Sequence, residues 1–290
     1  MGHIIIENKL ITLNSFYATQ LNGTKKSDCI FNFRGILSKE DDIVSSNICI
    51  MNAQIPVSFY TINDTNNIIG TNLGNVTIPI GNYNFNSLAP IVVSAFLTQI
   101  SVGITLTISK FTGLITFTYV GPGIANTYYN FNNSYKIFGF LPNVNYPYVG
   151  SYVVSPFPLN LLGVKKINIR SPELQISSFS SISNNLSITL ATLPVDVPAF
   201  SMISYINQTD LNKTNLRIKL IDQISISLTD EDNTLLDFNG LDWNITLVLE
   251  NVRLIADKAP SFRELMERQP KEPINEEPTE NIKELEFLNN

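Results

Sequence analysis

The chain lacks the side chains on which most catalytic and metal centres are built. It has one histidine, two cysteines and one tryptophan in 290 residues. The histidine, His3, stands at the very start. That leaves the body without a histidine for a Ser-His-Asp relay, a proton shuttle or a mixed zinc site. Cys29 and Cys49 cannot hold zinc alone. A disulfide between them stays open, but they read more simply as small apolar residues in neighbouring strands. Charge is scarce as well, with 15% charged residues and a net charge of −6. A protein that wraps nucleic acid needs clustered lysine and arginine, and "TKKSD" and "VKKINIR" are too small to serve. No run of about 18 apolar residues occurs, so no membrane span is expected. The start lacks a basic segment followed by an apolar run and a small-residue cleavage site, so no secretion signal is expected either. Glycine is modest at 14 residues, and neither a Gly-x-x-x-x-Gly-Lys loop, a Gly-x-Gly-x-x-Gly fingerprint nor a Gly-x-Ser-x-Gly elbow is present.

What is present is strand chemistry. Isoleucine, threonine, tyrosine and phenylalanine are abundant, and branched and aromatic side chains fit a pleated, half-buried surface. "IFNFRG", "SNICIMNAQIPVSFY", "NVTIPIGNYNF", "ITLTISK", "LITFTYV", "KKINIRS", "LSITLATLPV", "RIKLIDQISISLT" and "WNITLVLENV" read as strands, many with apolar and polar residues alternating. "ITLTISKFTGLITFTY" reads as a hairpin turning at Thr112-Gly113. One segment has helical period instead. "FNSLAPIVVSAFLTQIS" follows a cap expected at Asn86 or Ser87 and places Leu88, Ile91, Val92, Ala95, Phe96 and Ile100 on one stripe. "NNSYKIFGF" reads as a second, very short helix closed by Gly139. Many strands, short turns and little helix predict an all-β fold: a single jelly-roll β-sandwich with one short helix insertion.

The stretch "LTDEDNTLLDFNGLDWNITLVLE" concentrates Asp230, Glu231, Asp232, Asp237 and Asp242 ahead of the single tryptophan, Trp243. A calcium loop of the EF-hand type needs glycine at its sixth position and helices on both sides. Counted from Asp230, that position is Leu235, and the flanks are strands. Acid–base work by paired carboxylates needs burial that shifts a pKa, and one polar turn offers no sign of it. The pattern fits a strand, a polar turn with positive φ at Asn239-Gly240, and a returning strand anchored by Trp243. No catalytic, cofactor or metal residue is assigned, and no cofactor is expected.

The same stretch resembles the closing segment of the vertex (penton) capsid proteins of virophages, polinton-like viruses and some large DNA viruses. There an Asp-rich turn, an Asn-Gly and an Asp-Trp precede the last core strand. "SSNICIMNAQIPVSFYTINDTNN" resembles an early strand of that family, with Pro56 and Tyr60 in an Ile-Pro-x-Ser-x-Tyr run. "VTIPIGNYNFNSLAPIVVSAFL" resembles its following strand and helix, with Gly81 and Tyr83 in a Gly-Asn-Tyr. "YKIFGF" resembles a Leu-Gly-Phe-like element at Gly139, and "LATLPVDVPAFSMISYIN" a late strand leading to Tyr-x-Asn. The matching order covers about residues 43 to 250. Pro56, Tyr60, Gly81, Tyr83, Gly139, Asn239, Gly240 and Trp243 are therefore the expected structural motif.

The resemblance implies a penton subunit in the virion, made in the host cytoplasm and not secreted. The implied partners are itself, as a homopentamer, and a double-jelly-roll major capsid protein; nucleic acid and a membrane span are not among them. Two other classes stay open: another minor capsid protein, or a jelly-roll module that binds a carbohydrate or receptor through the tyrosine- and asparagine-rich segment 126–154. A hydrolase on a sandwich scaffold is disfavoured by the missing histidine and motifs.

Composition breaks near residue 256. Residues 1–255 hold 30 charged residues and residues 256–290 hold 14, with four prolines among them. The expected division is a jelly-roll capsid domain over 1–255 and an acidic tail over 256–290, disordered or bound to a partner. Phe262, Leu265 and Met266, and then Ile282, Leu285 and Leu288, recur at near-helical spacing. They are the expected docking residues, with an internal minor capsid protein as the candidate partner.

Overall fold

The computed structural model describes residues 3–38, 43–121, 127–174, 178–180, 185–208, 213–216 and 220–255. The chain opens with β1 (His3–Asn14), β2 (Thr19–Gln20), β3 (Asp28–Ser38) and β4 (Ile43–Pro56). It continues through β5 (Ile68–Thr71), β6 (Gly74–Thr77), α1 (Phe85–Ile100), β7 (Ile104–Ile108), β8 (Leu114–Tyr119), β9 (Tyr128–Asn130), α2 (Tyr135–Phe138), β10 (Asn145–Pro147) and β11 (Tyr152–Pro158). It then runs through β12 (Lys166–Arg170), β13 (Ser178–Ser180), β14 (Asn185–Ser187), β15 (Thr189–Pro194), β16 (Met202–Ile206), β17 (Thr214–Asn215), β18 (Leu220–Thr229) and β19 (Asn244–Ile255).

Two of the sheets carry the main architecture. One has the order β1-β19-β4-β16, with β17 also on β4, and the other β15-β12-β18-β3-β2. Following the chain, β1 lies in the first sheet, β3 in the second, β4 in the first, and β12 and β15 in the second. Then β16 returns to the first sheet, β18 to the second and β19 to the first. This back-and-forth wrapping of antiparallel strands is a jelly roll. Side chains alternate across each strand, so Ile48, Ile50, Ile245 and Leu247 of one sheet meet Ile167, Ile169, Ile224 and Ile226 of the other in one buried core.

The long connection between β4 and β12 holds everything from β5 to β11. The helix read from the sequence therefore arrives with seven strands and a second helix around it. These elements form sheets of order β10-β9-β5-β6 and β11-β8-β7. They bury their own core, in which Leu88, Val92, Ala95 and Phe96 of α1 pack with Ile69, Val76, Phe117, Tyr129, Phe131 and Phe138. The first 255 residues thus contain two hydrophobic cores. The β7–β8 hairpin turns as expected, with Gly113 at φ +70°.

Three local expectations need correction. The cap of α1 is Asn84, not Asn86 or Ser87. Its side chain accepts the Ser87 N–H, and Ser87 Oγ accepts the Asn84 N–H in return. Strand β1, which pairs along its whole length with β19, is absent from the strands expected from sequence. Cys29 in β3 and Cys49 in β4 lie in opposite sheets rather than neighbouring strands, and only Cys29 is fully buried. Burial pushes the Cys29 thiol up to about 12, so it stays protonated and unreactive at neutral pH.

Candidate functional site

The acidic stretch folds as a turn that joins β18 to β19 and ties the molecule together. Asp230 Oδ1 accepts the N–H groups of Asp232 and Thr234, both at 2.8 Å, and closes the first bend. Burial raises the Asp230 carboxyl above its usual range against the pull of these two bonds. Asp237 caps the N–H of Asn239 at 2.9 Å. Asn239 and Gly240 take φ +50° and +80°, as expected of the pair. The Asn239 amide donates to Ser58 O, and Ser58 Oγ donates to Phe238 O at 2.7 Å. Asp242 accepts from Lys26 at 2.6 Å and Ser15 at 2.8 Å. Burial lifts its pKa, but these two partners outweigh burial and hold it below the usual carboxylate range. Asp230, Asp237 and Asp242 therefore have structural tasks. Among the described residues, no group of three or more His, Cys, Asp or Glu is placed to hold a metal ion.

Trp243 is 0% exposed and meets Phe31 edge-on with ring centroids 5.9 Å apart. Its indole N–H donates to Lys26 O at 2.7 Å, so the one polar atom of the ring is satisfied. Pro56 is buried at the end of β4, against Met202 of β16. Gly81 exchanges two backbone hydrogen bonds with Ile62, at 2.9 and 3.0 Å. The Tyr83 hydroxyl donates to Pro79 O at 2.8 Å, beside that bridge. Gly139 ends α2 at φ +74°, where a Cβ would lie 2.1 Å from Phe157 O. Tyr60 lines a cleft described below. The motif residues are thus not one site. Trp243, Asn239 and Gly240 stitch the jelly roll, while Gly81, Tyr83 and Gly139 stitch the insertion.

The outer surfaces of the two main sheets differ in kind. Outside β18 and β3 stand mainly polar side chains, Asp28, Asn32, Gln223, Ser225 and Ser227, with Ile30 among them, and several are joined in hydrogen bonds such as Ser227–Asp28 at 2.9 Å. Outside β1 and β19 the register instead makes apolar cross-strand pairs: Ile4 with Leu254, Ile6 with Val252, and Leu10 with Val248. Ile4, Ile6, Leu10 and Leu254 are 69%, 59%, 64% and 51% exposed. Met51, Met202 and Ile206 extend the exposed apolar residues across β4 and β16. One polar rung interrupts the face: Asn8 lies opposite Glu250, which binds Lys213 at 2.6 Å. Among the described residues, strand β1 is also the edge of its sheet and is 12 residues long, with no proline or bulge along it. A long, Ile-rich edge beside an apolar face invites pairing with another chain. None of these residues was expected from sequence. The signal was the even-numbered alternation of Ile4, Ile6 and Leu10, which the run Ile4–Ile6 obscures.

A cleft of about 1110 Å³ separates the jelly-roll turn from the insertion. Its walls include Asn22, Lys25 and residues 230–239 on one side, and Tyr60, Asn63, Asp64, Asn66, Asn132, Asn133, Tyr135 and Lys136 on the other. Two ion pairs cross it, Lys25–Asp64 at 3.6 Å and a close Lys136–Asp232 contact. The expected docking residues Phe262, Leu265, Met266, Ile282, Leu285 and Leu288 lie outside the described residues.

No family model matches the chain, and no curated protein does. Among solved structures it is similar to the crystal structure of SeMet-labelled mavirus penton protein. The two chains are 12% identical, with a TM-score of 0.43, and the match covers 86% of this chain and 99% of the other.

Proposed function

We propose that this chain is a structural subunit of a viral capsid, of the vertex or penton type, and that it performs no catalysis. The observation that carries the proposal is the outer face of the β1-β19-β4-β16 sheet. A jelly roll whose one sheet is dressed in polar side chains, and whose other exposes three apolar cross-strand pairs beside a 12-residue free edge, is built to be covered by protein. Burying that face on association gains about 25 cal/mol per Å² before the cost of ordering is subtracted. The ordered motifs that resemble penton proteins, from Pro56 to Trp243, are consistent with this use. Copies of the chain close into a five-membered ring, with a major capsid protein around it. The tail at 256–290 reaches a further capsid component. Negative-stain electron microscopy of the purified chain tests the ring: five-fold closed particles support it, while isolated monomers or open filaments count against it.

A further inference from the structure

The cleft between the turn and the insertion shares no residue with the apolar face, and its chemistry is different. Its charges are already committed. Lys25 and Lys136 are held by Asp64 and Asp232, while Asp230 and Asp237 accept backbone N–H groups. Four carboxylates against two ammonium groups leave the lining slightly acidic, which disfavours phosphate, sulfate or carboxylate ligands. What stays uncommitted is neutral. Among the described residues, the side chains of Asn133 and Asn233 and the hydroxyl of Tyr60 have no hydrogen-bond partner. Asn22 Oδ1 is buried in the cleft wall and unpartnered. Past Asn132 and Asn133 the surface continues into a hollow of about 320 Å³ bounded by Asn75, Tyr128, Asn130 and Asn145.

We infer that this cleft is a binding site for a neutral oligosaccharide. An amide offers two donors and an acceptor, the pattern that adjacent sugar hydroxyls can both give and receive. A half-buried tyrosine offers a flat apolar face to the C–H face of a pyranose and a polar tip to its hydroxyls. The two hollows joined at Asn132–Asn133 leave length for several sugar units rather than one. Amides left free of intramolecular partners are available to a polar, uncharged ligand. A capsid vertex with such a cleft could hold a host or particle glycan, but the site stands on its own residues.

Saturation-transfer NMR on the full chain tests it, with maltohexaose, cellohexaose, chitotetraose and mannotriose as neutral probes. A heparin-derived tetrasaccharide and a sialylated trisaccharide serve as charged controls. At least one neutral probe should show transfer and the charged ones none. Tyr60→Ala and, separately, Asn133→Ala should weaken that binding at least tenfold with unchanged thermal melts. Asn133 is exposed, so that variant stays informative if Tyr60→Ala perturbs folding. Silence from all four neutral probes, transfer from the charged probes alone, or undiminished binding in the folded Asn133→Ala variant overturns the inference. None of these outcomes bears on ring formation, which is read separately by electron microscopy.

Discussion

At the scale of residues, Trp243 is the largest fully buried side chain among the described residues. Replacing it with alanine removes a fully buried ring and the indole N–H, leaving Lys26 O with only the weak Cys29 thiol donor. A loss of about 3–5 kcal/mol is expected, measured by denaturant melts of Trp243→Ala against wild type; coincident melts would show the ring to be dispensable. Asp242 gives a pH dependence with a definite sign. Its folded pKa lies below the ordinary value, so its contribution is full above the unfolded value of about 3.9 and is lost as pH falls through the folded one. Wild type should therefore melt higher than Asp242→Asn near neutral pH, with the gap closing in acid. A gap independent of pH would assign the effect to something other than charge. The side chain is about one-third exposed, so the gap is small. Burial of Trp243 was legible from its place at the head of an alternating strand. The tasks of Asp232 and Asp242 were not, because Lys136, Lys26 and Ser15 come from segments 96 to 227 residues away.

At the scale of elements, the helix shows what local chemistry can and cannot decide. The apolar stripe of α1 was legible from its period, and Leu88, Val92, Ala95 and Phe96 are buried as that period requires. Its start was not, because Asn84, Asn86 and Ser87 are all good caps and only the Asn84–Ser87 pair reciprocates. Asn84→Ala should cost about 1 kcal/mol, read from the midpoint of chemical unfolding; no change would mean the helix is held by its packing alone. Strand β1 was illegible for a different reason. Its first half carries Ile4 and Ile6 on the outer face and Glu7 and Lys9 on the inner one, so the ordinary alternation that Ile11 and Leu13 obey in its second half is broken. Arg253 makes this tolerable by pairing with Glu7 at 2.8 Å.

At the scale of the whole molecule, the composition conveyed the jelly roll but not its second core. Strands look alike in sequence whichever core they serve, and only pairing assigns β5–β11 to a separate set of sheets. The tail belongs to this scale too. Among the described residues, the buried members of both hydrophobic cores fall within residues 11–249. Truncation after Ile255 should therefore leave the melting temperature unchanged while impairing incorporation into particles. Unfolding of the truncated chain would place the tail in the core, and normal particles would deny it a docking role.

On the proposed function, the outer face of β1 and β19 joins copies of this chain. Sedimentation velocity on the full-length wild type and on an Ile4→Lys, Ile6→Lys, Leu10→Lys variant tests it most directly. All three positions are exposed, so the variant should keep the wild-type melt. A discrete oligomer of five subunits is expected for the wild type and a folded monomer for the variant. A wild type that stays monomeric at every concentration, or a variant that assembles as the wild type does, would contradict it.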